Sequence, residues 1–164
     1  MNTSQLLEER NLRALGETVQ IRLRRQQTQG AFALISCVTP PQGGVPLHVH
    51  SKEDETFIVL EGRYEFRVGD SVIQGQPGTC LFGPKGIPHT YQNIGQNPAR
   101  LMVLFSPPGF EEYFEDVDAA NSVSPLSLEE LVARAHKYGI EPARPSTNLG
   151  DALSEATSRA RRDS

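Results

Sequence analysis

Three histidines and one glutamate stand at positions that could bring four metal-binding groups together. His48 and His50 are separated by one residue, so both imidazoles lie on the same face if the segment is a strand. Glu55 follows at the start of the next apolar run, where its carboxylate can point inward beside the imidazoles. His89 begins a third strand segment, directly after a turn rich in Gly and Pro.

Three neutral imidazoles and one carboxylate on a rigid β scaffold predict a site for one divalent transition metal. Such a set leaves two positions open on an octahedral ion, and Fe, Mn, Ni, Cu, Co and Zn all remain alternatives. Ca and Mg are disfavoured because both prefer oxygen donors. A His-x-His pair alone is weak evidence, since two histidines on a strand face are more often ordinary polar residues.

The elements that must position these groups are short strands. From residue 19 to about residue 106, short runs with period-two alternation are separated by turns rich in Gly and Pro. Tyr64, Phe66 and Val68 alternate with charged residues and form the clearest inside/outside pattern. Both faces of the run 99–105 are apolar, which predicts a strand covered on both sides. Dense strands without intervening helices predict an all-β antiparallel sandwich or small barrel.

The pattern becomes helical after Gly109. Aromatic and apolar residues recur there at helical spacing: Phe110, Tyr113, Phe114 and Val117. A polar linker is predicted over 118–125, and Ser127 with Glu130 has the form of a capping box that begins a second helix. An apolar stripe on this helix is expected to pack on the barrel: Leu128, Leu131, Val132 and Ala135. Gly139 fits a C-cap, and His136 in the last turn is predicted on the surface.

The length of 164 residues fits one domain with short appendages. The predicted organisation is an N-terminal segment with a short helix at 1–18, a barrel at 19–108, a helical C-terminal extension at 109–140 and a flexible tail at 141–164.

Charge and hydropathy limit the partners. Sixteen Lys and Arg against twenty Asp and Glu give a net charge of −4, which disfavours nucleic acid and anionic membranes as partners. Arg159, Arg161 and Arg162 are interpreted as a solvated tail. No apolar stretch is long enough to span a bilayer, and the first ten residues lack a hydrophobic signal region, so a cytoplasmic protein is expected. Cys37 and Cys80 both lie in apolar runs, which predicts buried free thiols.

The spacing of the larger pattern resembles the two motifs of the cupin superfamily. The first motif asks for Gly, five residues, His-x-His, three or four residues, Glu, six residues and Gly. This chain departs from it only in having four residues before the first histidine: Gly43, His48, His50, Glu55 and Gly62. The second motif, Gly, five residues, Pro-x-Gly, two residues, His, three residues and Asn, is matched in full: Gly78, Pro84, Gly86, His89 and Asn93.

The resemblance implies a cupin barrel, a jelly-roll-like double-stranded β-helix, here with C-terminal helices. Carried over by position, the metal ligands are His48, His50, Glu55 and His89. The run 46–62, the ending 105–107 and the helix that ends at 137–140 resemble small single-domain bacterial cupins of the quercetin-dioxygenase-like group.

That resemblance implies a metal-dependent dioxygenase acting on a small enolic or phenolic molecule, with Glu55 as ligand and catalytic base. The alternatives are a metal-dependent isomerase or lyase, in which Glu55 or Tyr91 moves a proton, and a non-catalytic small-molecule-binding cupin. Tyr91 is more readily interpreted as a core aromatic. Core positions are likewise favoured over pocket walls for the other inward residues: Phe57, Val59, Tyr64 and Phe66. The partners expected are a small-molecule substrate or ligand and a second copy of the chain in a homodimer.

Overall fold

A computed structural model describes residues 10–144, which form eleven strands and two helices. The predicted tail beyond residue 144 and the first nine residues lie outside the described residues. The strands are β1 (Leu12–Ala14), β2 (Glu17–Leu23), β3 (Ala33–Thr39), β4 (His48–His50), β5 (Asp54–Glu61), β6 (Tyr64–Val68), β7 (Ser71–Gly75), β8 (Cys80–Gly83), β9 (His89–Asn93), β10 (Ala99–Ser106) and β11 (Ile140–Pro142). The helices are α1 (Glu111–Asn121) and α2 (Leu128–Lys137).

Two antiparallel sheets make up the β structure. The first has the order β1-β2-β3-β10-β5-β8, and the second has the order β11-β4-β9-β6-β7. Consecutive strands repeatedly belong to opposite sheets, and the two helices follow the last barrel strand. The predicted all-β cupin fold with C-terminal helices is therefore confirmed.

The core lies between the sheets and follows from alternation along the strands. On β6, Tyr64 and Phe66 are fully buried, whereas Glu65 and Arg67 are exposed. Phe105 on the facing sheet is also buried. Each large apolar side chain removed from water in this way contributes about 1.5–3 kcal/mol, so the aromatic interior holds the two sheets together.

The central strand β10 is covered on one face only. Leu101, Val103 and Phe105 are buried inside, but Met102 and Leu104 on the outer face are only half-buried. The prediction that this strand is covered on both sides is thus wrong for residues 10–144. An apolar strip remains on the outer face of the first sheet.

The N-terminal part of the described chain is strand rather than helix. β1 at 12–14 and β2 from Glu17 leave no helix in the described part of the segment 1–18, and the rest of that segment, where a short helix was also allowed, lies outside the described residues. β1 and β2 form an antiparallel hairpin, which is paired from Leu12↔Val19 to Ala14↔Glu17. The division of the chain into four segments remains a prediction.

Helix α1 is longer than its predicted apolar repeat. It continues through Asp118 to Asn121, into the predicted linker. Asp118 is buried, and its carboxylate is compensated by two donors: Arg10 Nη2 donates to its Oδ2 over 2.7 Å, and the Arg13 backbone N–H donates to Oδ1 over 2.8 Å. These bonds stabilise a charged residue inside the helix, which its sequence alone did not indicate.

Helix α2 begins with the predicted capping box. Ser127 Oγ accepts from the Glu130 backbone N–H over 3.3 Å, and Glu130 Oε2 accepts from the Ser127 backbone N–H over 2.8 Å. The predicted stripe packs only in part, since Ala135 is buried but Leu128 is 73% exposed. Gly139 ends the helix with φ +86°, as its C-cap assignment predicted.

Two further sequence expectations have mixed outcomes. Both cysteines are free thiols, but only Cys37 is buried, while Cys80 is exposed on the edge strand β8. The prediction for Cys80 is wrong because its side chain lies on the outer face of the sheet. Neither helix within residues 10–144 has the length and hydropathy needed to cross a bilayer.

Candidate metal centre

The four predicted metal ligands meet between the two sheets. His48 and His50 lie on β4, His89 lies on the neighbouring strand β9, and Glu55 lies on β5 of the facing sheet. One possible ligand atom from each residue lies within 4.8 Å of those from the other three. The imidazole centroids are 4.7, 5.0 and 5.5 Å apart.

Strand register explains this convergence. Alternation on β4 puts both of its histidines on the inner face, and β4 pairs with β9 at His48↔His89. The backbone N–H of Gly86 donates to the carbonyl of His50 over 2.8 Å, which joins the turn of the second motif to the strand of the first. Gly86 has φ +77°, a conformation that favours glycine.

The outward-facing nitrogen of each histidine is held by an acceptor. His48 Nδ1 lies 2.8 Å from the Pro46 carbonyl oxygen, and His89 Nδ1 lies 2.9 Å from that of Ile87. His50 Nδ1 instead lies 3.3 Å from Oε2 of Glu53. Since carbonyl and carboxylate oxygens accept, each Nδ1 donates and each neutral ring turns the Nε2 lone pair towards the centre.

The inward-facing atoms fit a metal cation. His50 Nε2 is buried, has no hydrogen-bond partner among residues 10–144 and lies 3.5 Å from Oε2 of Glu55. His89 Nε2 lies 2.5 Å from the same oxygen. Each of these nitrogen lone pairs repels the carboxylate oxygen that it faces unless a proton or a cation lies between the two atoms. Three imidazole nitrogens and one carboxylate oxygen are a donor set for a divalent transition metal.

The pKa values reflect burial and the close contacts. Burial lowers the pKa of His48 to about 4. Burial acts to raise the pKa of Glu55, but the charge of His50 and the hydrogen bond with His89 outweigh it, so this pKa lies below its ordinary value. Burial acts to lower the pKa of His89, but the hydrogen bond and the charge of Glu55 raise it overall. Neutral pH therefore favours a neutral His48 and an ionised Glu55, the forms that bind metals.

Aromatic side chains surround the buried part of the centre. The Phe110 ring packs edge-on against the His50 ring, with 4.7 Å between the ring centroids. The centroid of the Phe105 ring lies 6.1 Å from that of His50, and the centroid of the Phe57 ring lies 5.9 Å from that of His89. Among the four residues only His48 is half-buried, while the other three are buried. A small molecule would therefore reach the centre from the side of His48.

Other residues singled out in the sequence do not belong to the group of four possible ligands. Tyr91 is 5% exposed, and its hydroxyl donates to Glu17 Oε2 over 2.8 Å, so it is a core residue. Four inward-facing residues for which a core position was favoured over a place in a pocket wall are at most 2% exposed and belong to the core: Phe57, Val59, Tyr64 and Phe66. His136 is exposed on α2. The three arginines at 159–162 lie outside the described residues.

Sequence reasoning missed two parts of the centre. Glu53 is only 3% exposed and touches His50, although an acid in a predicted turn gives no sign of burial. β11 pairs with the His-x-His strand over three residues, from Ile140↔His50 to Pro142↔His48. A three-residue strand that ends in proline has too little alternation to be predicted.

The comparison with known proteins agrees with this fold. A profile of the cupin domain matches residues 36–105. The chain is 30% identical over 93 residues to an uncharacterized protein of Streptomyces coelicolor, a match that covers 57% of this chain and 82% of that protein. The chain belongs to the cupin family.

Two further relatives extend the comparison. Quercetin 2,3-dioxygenase of Bacillus subtilis is 28% identical over 90 residues, which are 55% of this chain but only 26% of that enzyme. This match agrees with the predicted grouping, although the chain spans about a quarter of the dioxygenase. The structure of KdgF from Halomonas sp. superposes with a TM-score of 0.57 at 16% identity and covers 65% of this chain and 94% of that one, which supports the fold.

Proposed function

We propose that this cupin binds one divalent transition metal through His48, His50, Glu55 and His89. The observation that carries the proposal is the buried Nε2 of His50, which has no hydrogen-bond partner in the described part of the chain and belongs to a group of four residues whose ligand atoms lie within 4.8 Å of one another. A buried polar atom without a partner is costly. Coordination of a metal would satisfy it.

The proposed reaction is dioxygenation of a small enolic or phenolic molecule. Similarity to quercetin 2,3-dioxygenase supports this reaction class. When bound, a redox-active metal supplies Lewis acidity towards a substrate oxygen and a site for O₂. The Glu55 carboxylate is the catalytic base in this proposal and accepts the proton of the substrate hydroxyl. The surrounding phenylalanines exclude water from the buried side of the centre.

Metal analysis tests the site. Wild-type protein purified without a tag should contain close to one equivalent of Fe, Mn, Ni, Cu, Co or Zn. His50→Ala should lose most of it. The matched control is His136→Ala, which removes an exposed histidine of α2 and should keep the wild-type metal content. A wild-type protein that contains no metal, and takes up none of these ions on reconstitution, would overturn the proposed site.

Oxygen consumption tests the reaction. Quercetin and simpler enols and phenols are suitable probes with metal-loaded wild-type protein and with His50→Ala. Dioxygenation requires O₂ uptake that matches substrate loss and depends on His50. Substrate turnover without O₂ uptake would favour an isomerase or lyase, and binding without turnover would favour a small-molecule-binding cupin. Either result contradicts the dioxygenase proposal but leaves the metal site intact.

A homodimer is also part of the proposal. The outer face of the first sheet exposes Phe82 (57%), Val38 (39%) and Leu60 (38%), with Met102 and Leu104 half-buried nearby. Apolar patches of this kind favour association. Light scattering should give twice the chain mass, and Phe82→Glu should shift it towards the monomer. Val123→Glu, which changes a residue that is 90% exposed after α1, is the control. A monomeric wild type would contradict the dimer.

The proposed location is the cytoplasm. Two free thiols, one of them exposed, are typical of a reducing compartment. Fractionation of cells that express the chain should recover it with cytoplasmic markers.

A further inference from the structure

One buried acid near the centre has no part in the proposed ligand set. Glu53 lies in the turn between β4 and β5 and is only 3% exposed, although its neighbour Asp54 is half-buried. Asp54 has a structural partner, since its Oδ1 accepts from the Lys85 backbone N–H over 2.8 Å. In the described residues, the hydrogen-bond partner of Glu53 is the His50 ring alone, with Oε2 3.3 Å from Nδ1. A buried carboxylate with one partner is unfavourable unless positive charge lies nearby.

His50 differs from the other two histidines in this partner. The Nδ1 atoms of His48 and His89 face main-chain carbonyl oxygens, which are neutral. His50 Nδ1 faces a carboxylate at 3.3 Å, and an acceptor of this kind makes the opposite ring nitrogen a better electron donor. That opposite nitrogen is Nε2, the buried atom that has no partner within residues 10–144.

The charges of the site also single out Glu53. Three neutral imidazoles and Glu55 bring one negative charge to a divalent cation. Glu53 adds a second negative charge through the His50 ring, so the buried assembly becomes neutral overall. Neutrality matters here because His50, Glu53 and Glu55 are all buried, where an uncompensated charge is costly.

We infer that Glu53 is a positioning residue: it holds His50 in the tautomer that carries its proton on Nδ1, aims Nε2 at the metal and balances the second charge of a divalent ion. This inference rests on the proposed metal site, and it assigns a role to a residue outside the four ligands. Glu53→Gln keeps an amide oxygen that accepts from Nδ1 but removes the charge. Glu53→Leu removes both.

Two measurements on the full chain test the inference. The first is the ¹⁵N spectrum of the histidine rings in metal-free protein, with His50→Gln used to assign the His50 signals. Wild type and Glu53→Gln should show His50 protonated on Nδ1, whereas Glu53→Leu should lose this preference. The second is Zn²⁺ affinity by competition with a chromogenic chelator. It should fall about tenfold in Glu53→Gln and up to about 100-fold in Glu53→Leu, the range typical of such outer partners.

The control is Glu61→Gln, at the exposed end of β5, which should match wild type in both measurements. Unchanged Zn²⁺ affinity and an unchanged His50 tautomer in both Glu53 variants would overturn the inference. If Glu53→Leu does not fold, the loss of Zn²⁺ affinity in Glu53→Gln decides. A wild-type protein that binds no divalent metal would instead overturn the proposed function, and the ring spectra would still decide whether Glu53 fixes the tautomer.

Discussion

His89 Nε2 lies 2.5 Å from Oε2 of Glu55, across the interior of the barrel from one sheet to the other. His89 Nδ1 already donates to the Ile87 carbonyl over 2.9 Å, so the short contact joins two groups that both accept unless a proton or a cation lies between them. The two cupin motifs therefore meet at a contact that is most favourable with a positive charge in it. Substitutions at this contact can therefore change metal binding without changing the fold.

Glu55→Gln should weaken metal binding without unfolding the protein. The amide nitrogen can donate to His89 Nε2 in place of the ion pair with Glu55, so the metal-free variant should stay folded and melt close to the wild-type temperature. Loss of the anionic oxygen should lower Zn²⁺ affinity by about 100-fold or more, beyond what loss of an outer partner costs. Thermal melts in the presence of a chelator and Zn²⁺ competition check the two parts. An unstable variant, or one with unchanged Zn²⁺ affinity, would contradict this account of the contact.

The sequence predicts the residues of the candidate metal centre better than it predicts the contacts that support them. Alternation at Tyr64 and Phe66, and the spacing of His48, His50 and His89, depend on local geometry that each strand determines by itself. The support comes from contacts between distant segments, which local patterns do not describe.

Individual residues show where prediction stopped. Leu128 belongs to an apolar stripe yet stays 73% exposed, because periodicity does not say how far a helix end reaches over its neighbours. Glu53 resembles any acid in a turn, and only the fold brings it to His50. Glu17 was predictable in part, since it precedes Val19 by two residues and alternation puts both on the inner face.

The buried Glu17 should make stability depend on pH. It is 3% exposed, and its two oxygens accept from Thr39 Oγ1 over 2.7 Å and from the Tyr91 hydroxyl over 2.8 Å. Burial raises the pKa of Glu17, although both hydrogen bonds act to lower it. The folded protein therefore holds a proton that the unfolded chain has already lost, and this contribution to stability falls as pH rises from about 4.5 through the folded pKa.

Glu17→Gln should remove that dependence. The difference in free energy of unfolding, variant minus wild type, should rise with pH over this interval and then level off. Its total rise should be about 1.4 kcal/mol for each tenfold difference in proton affinity of Glu17 between the folded and the unfolded chain. Urea unfolding of metal-free protein from pH 4 to pH 9 measures it. Thr18→Val, on the other face of β2, changes no carboxyl group and should give a constant offset. Parallel curves for wild type and Glu17→Gln would rule out the effect.

The C-terminal extension should matter for metal binding because β11 holds the His-x-His strand. β4 pairs with β9 only at His48↔His89 but pairs with β11 over three residues. The contact begins at Gly139, whose carbonyl accepts from the Ser51 backbone N–H and from Ser51 Oγ, each over 2.8 Å. A Cβ at Gly139 would lie 2.6 Å from Ser51 Oγ.

Gly139→Ala and Gly30→Ala separate this contact from backbone strain. Both glycines have positive φ, +86° and +80°, so each alanine costs about 1–2 kcal/mol of strain. A Cβ at Gly30 would meet nothing within 4 Å, whereas the one at Gly139 would push aside the Ser51 hydroxyl, which donates to the Gly139 carbonyl from the residue next to His50. Gly139→Ala should therefore lower both the melting temperature and Zn²⁺ affinity, and Gly30→Ala only the former. Equal Zn²⁺ affinities in the two variants would show that β11 does not position the ligand strand.

The capping box should stabilise the extension without affecting the metal centre. Ser127→Ala removes the two hydrogen bonds of Ser127 Oγ, one accepted from the Glu130 N–H and one donated to the Glu130 carboxylate, and leaves the bond from the residue-127 backbone N–H to that carboxylate. Loss of an N-cap costs about 1 kcal/mol, so the midpoint of urea unfolding should fall while Zn²⁺ affinity stays at the wild-type value. Ser124→Ala, an exposed serine of the same connection, is the control and should change neither. A fall in Zn²⁺ affinity with Ser127→Ala would mean that α2, and not β11 alone, fixes the position of His48 and His50.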